Sequence, residues 1–151
     1  INSISNFVFD FDRTITMVDS LAMVDNIQTF IKILQYPESE PEPTVRDFVA
    51  VHMGGYERMA AMRDFINNLL SMGKNVFILT NNPVPVSNPS LMPEILRIIG
   101  IHNFPKKNII STKMYPISTS KYWTMLNNPV MKLCNGNLAV KSIINKNMPA
   151  P

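Results

Sequence analysis

Apolar and polar positions alternate in blocks along this chain, and the blocks change period in a regular order. Residues Asn6–Asp12 (NFVFDFD) are apolar and aromatic until carboxylates close the run, which predicts a short buried strand ending in acids. From Val18 to Leu34 apolar residues recur at Val18, Leu21, Ala22, Ile27, Phe30, Ile31 and Leu34, the spacing of a helix with one apolar face. Pro37–Pro43 (PESEPEP) can continue neither a helix nor a central strand and reads as an exposed acidic loop. A second amphipathic helix is expected from about Tyr56 to Met72, with Met59, Met62, Ile66, Leu69 and Leu70 on one side and Gly73 stopping it.

The strand period then returns at Asn75–Leu79 (NVFIL), which runs into Thr80-Asn81-Asn82-Pro83. A loop over Pro83–Pro89, a third helix over Ser90–Ile99 and a third strand at Asn108–Ser111 (NIIS) follow. Ser120–Leu126 reads as a fourth helix with Ser120 as N-cap, and Val130–Cys134 as a fourth strand. The stretch 136–151 carries weak signals and is expected to be irregular. Strands alternating with helices predict an α/β domain, a central parallel sheet covered on both faces. The 151 residues make one domain, with a core over residues 5–135.

Composition changes this picture little: 46% hydrophobic and 17% charged residues suit a globular chain rather than a disordered one. No apolar run approaches the roughly 20 residues of a membrane helix, so a soluble protein without a membrane partner is expected. No basic-then-apolar leader opens the chain, which starts on Ile as a processed or partial product would. A lone cysteine, Cys134, and the absence of an N-glycosylation sequon favour a reducing, cytoplasmic compartment. Charge is uneven: residues 1–94 hold all 11 acids against 6 Lys/Arg, whereas residues 95–151 hold 8 Lys/Arg and no acid. A phosphate, nucleic acid or acidic partner would suit the basic part, but Lys106–Lys107 is its only adjacent pair, so scattered solvated lysines explain it as well. The interleaved aromatics of a single-strand platform are missing, which disfavours nucleic acid.

The chemistry gathers where strands end. In Asp10-Phe11-Asp12-Arg13-Thr14 the two-residue period sets Asp10 and Asp12 side by side at a strand tip. Adjacent carboxylates repel unless a cation lies between them or one is protonated. Such a pair suits a hard divalent cation and permits one carboxylate to act as nucleophile and the other as general acid and base. The ordinary alternative is a pair of turn or N-cap aspartates. At the second tip, the Thr80 hydroxyl and the backbone N–H groups beyond it could hold phosphate oxygens, as could an ordinary turn capped by Thr and Asn. Lys121 could offset phosphate charge or be a plain surface lysine.

Together these segments resemble the haloacid-dehalogenase-like (HAD-like) superfamily. FVFDFDRTIT resembles its first motif, VFILTNN its second, and IIST followed by Lys121 its third, although Lys113 could serve instead. The stretch from Gly54-Gly55-x-x-Arg58 to Leu79 is similar to uncharacterised HAD-like proteins of algae and large DNA viruses. The resemblance covers roughly residues 5–127. It implies a Rossmannoid three-layer domain with little or no cap, since only the Val18–Leu34 helix and the acidic loop separate the first two motifs. It further implies a Mg²⁺-dependent phosphatase acting through an aspartyl-phosphate. Asp10 would be the nucleophile and Asp12 the acid and base. Thr80 and Lys121 would hold and neutralise the phosphoryl group, with Thr14 and Asn81 beside the substrate. Mg²⁺ would be held by Asp10, the backbone carbonyl of Asp12 and an acid from a fourth motif, and an uncapped site implies a large, even macromolecular, phosphorylated substrate.

One motif departs from the family. The fourth motif supplies one or two aspartates after a fourth strand, yet no Asp or Glu follows Glu94. Asn135 or Asn137 would occupy that tip, bringing a carbonyl but no charge to the cation. The motif lies outside this chain, or an asparagine replaces it as a weaker ligand, or catalysis is lost. The last case gives the rival expectation, a non-catalytic HAD-like module that binds or assembles with protein partners, for instance in a virion.

Overall fold

The computed structural model describes residues 4–19, 43–115, 120–135 and 141–144. Its sheet has the order β3-β2-β1-β4, with every pairing parallel. Strand β1 is Asn6–Phe9, β2 Asn75–Thr80, β3 Ile109–Ser111 and β4 Lys141–Ile144. The helices are α1 (Pro43–Met53), α2 (Tyr56–Ser71), the four-residue α3 (Val84–Ser87), α4 (Leu91–Ile99), α5 (Lys121–Asn127) and α6 (Pro129–Asn135). The expected α/β architecture with a parallel sheet is therefore present.

Period-two alternation divides the strand side chains between two cores. Phe7, Phe9, Val76 and Ile78 face one side, where they pack with Val49 and Met53 of α1, Met62 and Ile66 of α2, and Ile95 and Leu96 of α4. Val8, Phe77, Leu79 and Ile110 face the other side with Met125 of α5 and Met131 of α6. A sheet buried on both faces needs continuous apolar strands, and all four β1 residues are buried. Burying one such Phe or Ile stabilises the fold by about 1.5–3 kcal/mol. Gly100 ends α4 in the left-handed region at φ 105°, and its N–H returns to the Leu96 and Arg97 carbonyls.

Several expectations are corrected. Val130–Cys134 is not a strand but lies within α6, because the Asn128 side chain caps the N–H groups of Val130 and Met131 (3.0 and 3.2 Å) and Pro129 takes the first helical position. Residues 141–144 of the tail, expected to be irregular, form β4 against β1. Pro43, expected to end a loop, opens α1, where its missing N–H costs nothing. The Pro83–Pro89 loop contains α3. Of the expected Val18–Leu34 helix only Val18 and Asp19 are described, and neither is helical. The rest of that helix, the loop before Pro43 and Asn137 lie outside the described residues. No helix among the described residues is long and apolar enough to cross a membrane.

Candidate functional site

The chain runs from β1 through β2 to β3 on one side of the sheet and reaches β4 on the other side of β1. Strand order therefore reverses at β1, and in open parallel sheets ligands bind beyond the strand ends at such a reversal. There, Asp10, Asp12, Arg13, Asp19, Thr80, Asn81, Asn82 and Lys121 line one pocket of about 340 Å³.

The loop leaving β1 is folded tightly around one carbonyl. The Phe11 oxygen accepts the N–H groups of Thr14, Ile15 and Thr16 at 3.3, 3.0 and 3.1 Å. Arg13 sits in the left-handed region at φ 63°, a cost of order 1–3 kcal/mol for a side chain with a Cβ, borne where the surroundings fix the turn. This turn points the Asp10 and Asp12 carboxylates into the pocket and Thr14 away from it. Thr14, expected beside the substrate, is only 1% exposed and does not line the pocket. Its carbonyl instead accepts a hydrogen bond from Arg58 Nη2 at 2.6 Å.

Both Asp10 oxygens are engaged: Oδ1 accepts the Phe11 N–H at 2.7 Å, and Oδ2 lies 2.8 Å from Lys121 Nζ. Lys121 reaches it from the first turn of α5, which the Ser120 hydroxyl caps by accepting the Trp123 N–H at 3.2 Å. Of the two candidate lysines, Lys121 lines the pocket and Lys113 does not. Asp12 Oδ2 accepts from Asn82 Nδ2 at 3.2 Å, while its Oδ1 is buried without a hydrogen-bond partner. Burial, above all, raises the Asp12 carboxyl above the usual carboxylate range. The nearby negative charges of Asp19 and Asp10 push the same way, and the Asn82 hydrogen bond and Lys121 oppose it.

From β2, the Thr80 hydroxyl accepts the Asn82 N–H at 3.0 Å and keeps its own proton for donation. Asn81 Oδ1 accepts from the Thr112 hydroxyl at 2.8 Å, and the Asn82 carbonyl from the Ser111 hydroxyl at 2.7 Å, so the neighbouring β3 braces this tip. Sequence reasoning missed Asn82, Arg13 and Asp19. Asn82 carried one signal: an Asn before a proline at a strand tip is a side chain poised to bond nearby backbone, here the Val84 N–H at 2.9 Å. Arg13 and Asp19 pair on the pocket rim at 3.1 Å. Asn135 closes a helix rather than following a strand, and the argument that set it at a strand tip falls with that strand.

The residues present fit a divalent cation in part. The partnerless, buried Asp12 Oδ1 is the kind of oxygen that a cation satisfies, and Asp10 stands beside it. No group of three or more His, Cys, Asp or Glu placed to hold a metal occurs among the described residues. Comparison with protein-family models, curated proteins and solved structures finds no match to this chain.

Proposed function

We propose that this chain is a HAD-like phosphohydrolase that works through an aspartyl-phosphate at Asp10. The observation that carries this reading is the convergence of Asp10, Asp12, Thr80 and Lys121, from three separate segments, on one pocket at the carboxyl ends of β1 and β2. A fold with no use for charge has no reason to set paired carboxylates there, since they destabilise one another.

The chemistry follows from the positions. Asp10 attacks phosphorus with a lone pair its two present partners leave free, while the bond to the leaving oxygen breaks. Asp12 supplies the proton to that oxygen, and its raised pKa keeps a proton available nearer neutral pH than an ordinary carboxylate would. Water then attacks the phosphorus as Asp12 takes a proton from the water, the bond between phosphorus and Asp10 breaks, and inorganic phosphate leaves. The Thr80 hydroxyl donates to a phosphoryl oxygen, and Lys121 offsets the charge gathered on the phosphoryl group and Asp10.

Three carboxylates against two cations line the pocket, so an arriving phosphate needs further positive charge. The Asp10 carboxylate and the backbone carbonyl of Asp12 are the groups that would hold Mg²⁺, an ion usually bound through one or two carboxylates together with waters and substrate phosphates. When bound, it supplies Lewis-acid stabilisation of the phosphoryl oxygens. The substrate is a phosphate monoester, and a macromolecular one fits an open pocket.

A second reading is favoured by one observation: the chain holds no acid after Glu94, so no fourth-motif carboxylate adds its charge to the cation site. It is a non-catalytic module for binding or assembly, including assembly of a virion. Hydrolysis of an aryl phosphate with and without Mg²⁺, beside Asp10→Asn, separates the two. Metal-dependent turnover lost in Asp10→Asn supports the enzyme; turnover no greater than that of Asp10→Asn at any Mg²⁺ concentration refutes it.

A further inference from the structure

Arg58 stands in the first turn of α2, three residues after Gly55, and only 6% of it is exposed. A buried guanidinium ordinarily meets a carboxylate, because an isolated interior charge is costly. Here its partners among the described residues are backbone carbonyls. Nη1 donates to Ile15 and Met53 at 3.1 Å each, and Nη2 donates to Thr14 at 2.6 Å. Two of these carbonyls belong to the turn that begins at Asp12, and the third ends α1.

The surroundings are shaped to admit this side chain. Gly54 has φ 75°, and a Cβ there would lie 2.5 Å from Arg58 Cδ and 3.1 Å from Met17 Cγ. The Met17 N–H donates to the His52 carbonyl at 2.7 Å, a second tie between the same loop and the end of α1. The turn that begins at Asp12 is thus gripped from both sides. Phe11 gathers its N–H groups within, and Arg58 gathers its outward carbonyls from another element.

We propose that Arg58 is a positioning residue, holding the turn after β1 so that the Asp12 carboxylate stays fixed over the pocket. The proposal rests on the phosphohydrolase reading for its consequence in turnover, but not for the anchoring itself. A planar, five-donor fork can bond three carbonyls at once, whereas a lysine ammonium is a point charge that cannot reproduce the fork. Misplacement of a proton-transferring group by about 1 Å costs on the order of a hundredfold in rate.

The test uses the full chain and two variants, Arg58→Lys and Arg58→Met, each checked for fold by thermal melting. Amide hydrogen exchange is read at Thr14, Ile15 and Thr16, whose N–H groups meet Phe11, against amides within α2 and β2. Loss of protection confined to Thr14–Thr16 supports the anchor; unchanged protection there overturns it. With an aryl phosphate as substrate, kcat should fall by about tenfold to a hundredfold while KM stays within about twofold, and the pH–kcat limb assigned to Asp12 should move. Equal kcat and an unmoved pH profile overturn the positioning role. If neither variant folds, the wild-type protein decides. Slowly exchanging, separately resolved Arg58 guanidinium protons support the three bonds, and a single fast-exchanging signal refutes them. A wild-type protein without turnover refutes the phosphohydrolase reading alone, because the exchange measurements still judge the anchor.

Discussion

Removing the Lys121 cation tests the site most directly. Its Nζ lies 2.8 Å from Asp10 Oδ2, with side chains 26% and 28% exposed. At an effective dielectric of about 20, two unit charges at that separation attract by about 6 kcal/mol before desolvation. Taking both groups partly out of water cancels most of this, leaving a net coupling on the order of 1–2 kcal/mol. Lys121→Met keeps the aliphatic stem and deletes the charge, leaving Asp10 beside Asp12 and Asp19 without its closest counter-ion. Urea unfolding of wild type, Lys121→Met, Asp10→Asn and the double variant forms a double-mutant cycle, expected to give that coupling. Turnover of an aryl phosphate by Lys121→Met should drop by about a hundredfold to a thousandfold, the size of one lost transition-state donor. A coupling below about 0.3 kcal/mol, with Lys121→Met equally damaging in both backgrounds, would show that the ion pair does not form in solution.

Other outcomes follow from neighbouring atoms. Asp12 is held protonated more readily in the folded chain, so its contribution favours folding at low pH and is lost as pH rises through the raised value. Asp12→Asn should therefore melt higher than wild type at neutral pH, with the gain vanishing below the usual carboxylate range; a lower melting point at pH 7 would contradict the burial argument. Thr80→Val keeps the shape but leaves the Asn82 N–H without its acceptor, so chemical denaturation should show a loss of about 1–2 kcal/mol together with reduced turnover. Gly54→Ala combines a left-handed φ of 75° with a collision against Arg58 Cδ, and thermal unfolding should report a loss of about 1–3 kcal/mol.

Where local pattern and tertiary structure agree, the sequence was legible. The NVFIL strand, the α2 helix with its Met59, Met62, Ile66 and Leu69 face, and the Ser120 cap stand as expected, whereas the first strand, expected to run to Asp12, ends at Phe9 and leaves both aspartates in the loop beyond it. Asp10, Asp12, Thr80, Asn81 and Lys121, named from separate strand and helix ends, come together in one pocket. Apolar runs too short to show a period were not legible. Val130–Cys134 is equally strand-like or helical until Asn128 and Pro129 are weighed as a cap, and Lys141–Ile144 becomes a strand only through its pairing with β1. The reach of Asn82 to Asp12 spans 70 residues, and no local signal encodes it. Thr14 lies outside that pocket, because a motif marks that a residue matters without saying that its side chain turns inward.

The β1–β2 register aligns Phe9 with Ile78, and the two halves of the pocket lie just beyond that pair. Asp10 and Thr80 thus enter the pocket from segments far apart in the chain, joined by a parallel pairing that no hairpin can nucleate. Closing a loop of that length costs roughly 4 kcal/mol of chain entropy before any contact repays it, which makes this pairing a late and slow event. A slip of one residue would turn Phe7 and Phe9 to the opposite face and shift Thr80 about 3.3 Å along Asp10. Recovery of turnover during refolding therefore serves as a clock for the correct docking of β2 on β1, a step that recovery of helical signal alone would miss.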